Sequence, residues 1–190
     1  IVKPLRAPFS DGNRVIREKD EFLKLNYDVI ILGDIDPDGR EFRLEHWEWI
    51  EEWVSRNQGG LILLAGMRHN PKGYVNVERA RSLYPVEIEN LPRDYDTRVD
   101  VTRMKHYRLT PAGRAHEVMR LSSNAERNDE LLGSVVDGNF RRGQLNGYYW
   151  HVPGAALKPA PAQALARVVT EGKVTAEGDV LVATQPYGNG

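Results

Sequence analysis

The chain has 190 residues, no cysteine, 26 Lys and Arg against 27 Asp and Glu, and a formal charge of −1. The length suits one domain with its own core, and the missing cysteine excludes disulfides, thiolate metal sites and a thiol nucleophile. The near-neutral balance lacks the broad attraction to phosphate backbones that basic proteins carry, and no stretch approaches the roughly 18 apolar residues of a membrane-spanning helix.

Residues 1–26 are mixed and carry no signal-peptide pattern of charged start, apolar middle and cleavage site. A short charged helix is expected around Glu18 to Lys24. VIILGD (29–34) is a continuous aliphatic run, which suits a strand buried on both faces of a parallel sheet. DPDG (36–39) is turn chemistry. Leu44, Trp47, Ile50 and Val54 then recur at spacings of three and four, which predicts one apolar stripe on a helix over 42–56. Glu45, Glu48, Glu51 and Glu52 fall mainly off that stripe. Trp47 is expected in the core, whereas Trp49 and Trp53 lie one turn apart on another face and are expected to meet a partner domain. Gln58-Gly59-Gly60 ends the helix, since glycine adopts the left-handed cap cheaply. LILLAG (61–66) is a second buried strand, so 27–71 reads as one right-handed β-α-β unit with adjacent parallel strands.

After Pro71 the pattern weakens. A short helix is expected near Val77 to Leu83, an extended PVEI (85–88), a strand end and turn at RLTPAG (108–113), and a short helix or loop from His116 to Leu121. NAERNDELLGSV (124–135) reads as a surface helix, GYYWHVPG (147–154) as extended, and QALARVVTE (163–171) and DVLVATQPYG (179–188) as strands. The basic pairs near Arg79–Arg81 and Arg141-Arg142 sit among acidic neighbours and read as solvated surface. A turn such as QPYGNG normally hands over to another strand, so residues 1–190 are expected to be a single domain excised from a longer protein.

The two strand exits build the candidate site. Gly33, Asp34 and Asp36 follow the first strand; Met67, Arg68, His69 and Asn70 follow the second. Ligands of open α/β sheets bind outside the carboxyl ends of strands. Two carboxylates opposite an arginine and a histidine would hold a polar ligand or activate water. The plainer alternative is that Asp34 and Asp36 form the turn and Arg68 pairs with one of them. Asp34, Asp36, Asp38 and Gly39 echo a calcium loop, but Pro37 and Arg43 break it. His106, His116 and His151 lack metal-ligand spacing. Trp47, Trp49, Trp53, Tyr148, Tyr149 and Trp150 would suit an aromatic platform for a sugar or a base. Neither a phosphate loop nor a serine elbow is present, and no cofactor is expected.

YDVIILGDIDP (27–37), NQGGLILLAGMRHNP (57–71), SLYPVEI (82–88), RLTPAGRAHEVMRL (108–121), YYWHVPGAALKPA (148–160) and QPYGNG (185–190), in that order, resemble the class I glutamine amidotransferase-like group of flavodoxin-like folds. More closely, the chain resembles the glutamine amidotransferase-like domain of bacterial envelope proteins with von Willebrand factor A-type modules. The resemblance implies an α/β three-layer sandwich around a central, mostly parallel sheet. Catalytic members place a cysteine on an elbow after a strand, with a downstream His-x-Glu. Here the elbow falls within Ala65-Gly66-Met67, none of them a nucleophile, and His116-Glu117 departs from the pair's spacing. Cysteine-dependent amidotransfer is therefore excluded. Trehalose-utilisation-like relatives also lack the cysteine and keep polar groups at this exit, which implies sugar or small-ligand binding.

The expectation is a non-catalytic domain for interaction or small-ligand sensing within a larger envelope protein, periplasmic or cytoplasmic. Its partners would be other domains of the same polypeptide or an envelope protein, not nucleic acid, with no membrane insertion of this segment. The alternatives are a hydrolase using Asp34, Arg68 and His69, or a carbohydrate-binding domain.

Overall fold

The computed structural model describes residues 5–6, 10–11, 14–25, 27–37, 42–92, 94, 100–137, 139–169 and 178–190. The chain forms two compact units, residues 1–84 with 186–190, and residues 85–185. Helices and strands are mixed throughout, in small sheets.

The first unit opens on an antiparallel ribbon of β1 (Leu5–Arg6), β2 (Ser10–Asp11) and β3 (Arg14–Val15). α1 (Lys19–Leu23), β4 (Val29–Leu32), α2 (Leu44–Asn57), β5 (Gly60–Leu63) and α3 (Glu78–Leu83) follow. β4 and β5 are parallel neighbours, with Val29 opposite Gly60, Ile31 opposite Ile62 and Leu32 opposite Leu63. The β-α-β reading therefore holds in pairing and direction.

Burial departs from that reading. Ile30 and Leu32 are 3% and 6% exposed, but Val29, Ile31, Ile62 and Leu64 are 49%, 57%, 46% and 52% exposed. A strand's side chains alternate between faces, so an unbroken aliphatic run fills both faces without showing that both are covered. Here one is.

The apolar surface of α2 is also wider than one stripe. His46, Trp47, Trp49, Ile50, Trp53 and Val54 are buried, in adjacent pairs one per turn, while Leu44 at the helix start is 58% exposed. The expectation that Trp49 and Trp53 face a partner is overturned: Trp53 is 2% exposed and Trp49 packs 6.1 Å from the Phe22 ring and 4.8 Å from His46. The acidic flank is used within the unit as well. Glu52 pairs with Lys19 and with Arg56, and Glu51 accepts from Arg79 at 3.2 Å and from the Tyr187 hydroxyl at 3.0 Å.

The left-handed residue that ends α2 is Gln58, at φ +59°, rather than a glycine. Gly59 is needed for another reason: a Cβ there would lie 2.3 Å from the Trp53 ring. Gly59→Ala is expected to destabilise by about 1–3 kcal/mol through overpacking against a ring that is itself enclosed. Gln58→Gly, by contrast, is expected to stabilise by about 0.5–1 kcal/mol by relieving a left-handed side chain. Denaturation midpoints of the two variants should move in opposite directions; a shared sign would contradict this cap geometry.

The second unit contains β6 (Val86–Glu87), β7 (His106–Leu109), α4 (Pro111–Ala115), a 3₁₀ turn (Glu117–Met119), α5 (Ala125–Leu132), β8 (Ser134–Val136), β9 (Asn139–Arg141), β10 (Ala156–Leu157), β11 (Gln163–Val169) and β12 (Val180–Thr184). β11 pairs antiparallel with β7 on one side and β12 on the other; β6 pairs with β10 and β8 with β9, also antiparallel. Leu109, Leu132 and Ala166 are the buried centre of a core joined by Met119, Leu131 and Val182. Thr110 caps α4, accepting from the Gly113 amide at 3.0 Å while its hydroxyl donates to the Ala164 carbonyl at 2.5 Å.

Two expectations need correction here. Among the described residues only β4–β5 is parallel, so a three-layer sandwich on a central parallel sheet is not what the strands form. The surface helix over 124–135 ends at Leu132, where Gly133 at φ +89° turns the chain into the β8–β9 hairpin. Among the described residues no helix is long and apolar enough to cross a membrane.

Candidate functional site

The two strand exits do meet. Asp34 leaves β4 and its carboxylate accepts three consecutive backbone N–H groups of the segment after β5: Arg68 at 3.0 Å, His69 at 2.7 Å and Asn70 at 2.7 Å. Burial opposes its charge, but the three amides, with help from His69, outweigh it and hold the carboxyl below its ordinary value. Gly66 makes this approach feasible, because a Cβ there would lie 2.0 Å from the Asp34 Cγ. Gly33 does no such work; a Cβ at that position would meet open space.

The residue that organises the exits is Asn70, which is 1% exposed. Its side-chain amide donates to the Leu64 carbonyl at 2.8 Å and the Gly33 carbonyl at 3.3 Å, its Oδ1 accepts from the Tyr84 hydroxyl, and its own carbonyl accepts from the Gly66 amide at 2.7 Å. Tyr74 fixes the other side, donating from its hydroxyl to the Ile35 carbonyl at 2.6 Å. Burial, followed by Asp36 and Asp34, pushes the Tyr74 phenol well above its ordinary value, so it stays a donor.

The predicted site residues therefore separate. Asp34 is engaged by backbone amides, not by the Arg68 guanidinium or the His69 ring. Asp36 lies 3.7 Å from His69 Nδ1. Met67 (41% exposed) and Arg68 are solvent-facing, and Arg68 has no ion pair among the described residues. Asp38 and Gly39 of the calcium-loop pattern lie outside the described residues. Sequence reasoning places Asn70 at the exit but shows neither its side-chain network nor the presence of Tyr84 there; an asparagine directly before Pro71 is the available signal.

The remaining histidines are occupied singly. His106 Nδ1 is 2.7 Å from the Asn146 carbonyl, His116 Nδ1 accepts from the Val118 amide at 3.2 Å, and His151 Nε2 is 3.2 Å from Asp179 Oδ2. No group of three possible metal ligands occurs among the described residues. The hydrogen bond from His151 lowers the Asp179 carboxyl, against burial and with the Gly154 amide. Of the aromatic residues, Trp47, Trp49 and Trp53 are buried, whereas Tyr149 is 51% exposed.

His46 is the buried ionisable group of α2. Its Nδ1 accepts from the Arg43 amide at 3.0 Å, which requires the neutral ring. Burial lowers its pKa from the ordinary 6.5, Glu45 opposes this and Arg43 adds to it. A histidine with a depressed native pKa leaves the unfolded chain holding more protons, so stability present above pH 6.5 is lost as the pH falls toward the native value. Unfolding free energy should therefore drop between pH 7.5 and 5.5, and His46→Asn should flatten that slope. An unchanged slope in urea titrations at these pH values would assign the effect elsewhere.

In comparison with known proteins, the chain matches no family model, no curated protein and no solved structure.

Proposed function

We propose that this chain is a non-catalytic, class I glutamine amidotransferase-like module for interaction or small-ligand sensing within a larger bacterial envelope protein. The observation that carries the reading is the commitment of Asp34 to three backbone amides. A carboxylate held this way is ionised and positioned as a brace, with little basicity left for abstracting a proton. The elbow residues Ala65, Gly66 and Met67 supply no nucleophile. A small anionic ligand would find the solvent-facing Arg68 guanidinium at the same exits, suited to two-pronged recognition of a carboxylate or phosphate.

The test is ammonia release from glutamine by the whole chain. None is expected. Turnover that Asp34→Ala or His69→Ala abolishes would establish a hydrolase and remove this reading.

A further inference from the structure

We propose that Asn189 is a site of spontaneous deamidation, and that the reaction weakens the hold of residues 186–190 on α2. Asn-Gly occurs twice in the chain, at Asn146-Gly147 and Asn189-Gly190. Glycine has no side chain to hinder attack by its own backbone nitrogen on the amide carbon of the preceding asparagine. The structure separates the two pairs. Asn146 is 1% exposed. Its side-chain amide donates to the Tyr107 and Leu132 carbonyls, each at 2.6 Å, and its Oδ1 accepts from the Tyr107 amide at 3.0 Å. Held at both ends, that side chain is not free to turn toward the Gly147 nitrogen. Asn189 is exposed, and its side chain has no hydrogen bond among the described residues. Both glycine amides are engaged alike, Gly147 with the Leu145 carbonyl at 3.1 Å and Gly190 with the Tyr187 carbonyl at 3.0 Å. The difference therefore lies with the asparagines.

The reaction is a hydrolysis that balances without a co-reactant other than water. The Gly190 nitrogen loses its proton and bonds to Cγ of Asn189, the side-chain nitrogen leaves as ammonia, and a succinimide ring forms. Water then opens one of the ring's C–N bonds and leaves aspartate or isoaspartate. The consequence follows from where Asn189 sits. Its backbone N–H donates to the Ser55 carbonyl, in the last turn of α2, at 2.9 Å. A Cβ on Gly190 would lie 2.5 Å from the Val54 carbonyl oxygen and 2.7 Å from that of Gly59. The carbonyl end of a helix disfavours an anion. Glu51 and Glu52 stand on the same helix, and Arg56 is already paired with Glu52. A carboxylate at 189 is thus repelled, and isoaspartate also lengthens the backbone where Gly190 is closely seated. The remaining anchor of the segment is the Tyr187 hydroxyl, 3.0 Å from Glu51 Oε1 and 3.1 Å from Ser82 Oγ.

The test follows the two Asn-Gly peptides, by mass and by chromatographic separation of the isoaspartyl form, after incubation of the whole chain in mildly alkaline buffer. Conversion is expected at least tenfold faster at Asn189 than at Asn146, because a core site reacts only through rare opening. In urea the two rates are expected to converge. Asn189→Gln is expected to abolish conversion at 189, and Asn189→Asp to speed hydrogen exchange of the 189 and 190 amides roughly two- to fivefold. Equal rates in the folded chain, faster conversion at Asn146, rates that stay apart in urea, or unchanged exchange in Asn189→Asp overturn the proposal. It goes beyond the interaction reading and fails separately from it: this ammonia comes from the chain itself, once per Asn189 and without added glutamine, whereas turnover of glutamine removes that reading alone.

Discussion

Trp47→Ala is expected to lower the unfolding free energy by about 3–5 kcal/mol, the range for deleting an enclosed indole. The ring is 1% exposed and meets Tyr74 at 4.9 Å and Phe42 at 5.6 Å, both in edge-on geometry. Such pairs add about 0.5–1.5 kcal/mol beyond area alone. Its indole N–H has no acceptor among the described residues, and a buried orphan donor is costly. Trp47→Phe should therefore lose distinctly less than Trp47→Ala, because it removes that donor while keeping an aromatic edge. Trp49→Ala is expected to cost about 3 kcal/mol, since the ring is 7% exposed and packs on Phe22 and His46. Chemical denaturation followed by tryptophan fluorescence reads all three. A negligible loss for Trp49→Ala would mean that this side of α2 is not a packed face.

The difference between Trp49 and its sequence-based placement shows where pattern reading gives out. Spacing of three and four reveals that α2 is amphipathic, but it selects the narrowest stripe that explains the aliphatic residues. Counting His46, Trp49 and Trp53 as apolar widens the face to a pair per turn, which is the ordinary pattern of a helix on a globular core. The strands were legible because aliphatic runs of four to six residues bounded by Gly and Asp allow little else. Their coverage was not legible, because the same run serves a doubly buried strand and one that keeps an apolar face open. The β8–β9 hairpin was hidden by the helical character of the residues before it. The αL residue at Asp137, at φ +51°, and its neighbour Gly138 were the turn signal.

The exits lie where the aliphatic runs place them, but residue type alone does not reveal what joins them. Asp, Arg and His at two strand ends suggest side chains meeting across a cleft. What forms instead is a carboxylate on a row of backbone amides, to which the His69 side chain adds only an electrostatic contribution. Sequence cannot show a contact made by N–H groups that every non-proline residue carries. The glycine that matters, Gly66, is likewise distinguished from Gly33 by what lies beside it and not by the run in which it occurs.

That arrangement puts Asn70 at the centre of the polar network of the strand exits. Asn70→Ala removes donors from the Gly33 and Leu64 carbonyls and removes the Oδ1 that accepts from the Tyr84 hydroxyl. With each stranded buried group costing about 1–3 kcal/mol, the expected loss is about 3 kcal/mol or more. A double-mutant cycle of Asn70→Ala with Tyr84→Phe measures the coupling carried by the bond between them. Asp34→Asn keeps one acceptor for three amides and should cost less than Asn70→Ala. It should also change the acid limb of the stability curve. The Asp34 carboxyl sits below its ordinary 3.8, so its contribution is present above that value and is lost as the pH falls through the native one. In Asp34→Asn that share of the acid loss should be absent. An Asn70→Ala variant as stable as the parent, or an Asp34→Asn variant with the parent's full acid limb, would show that the exits are not braced by this network.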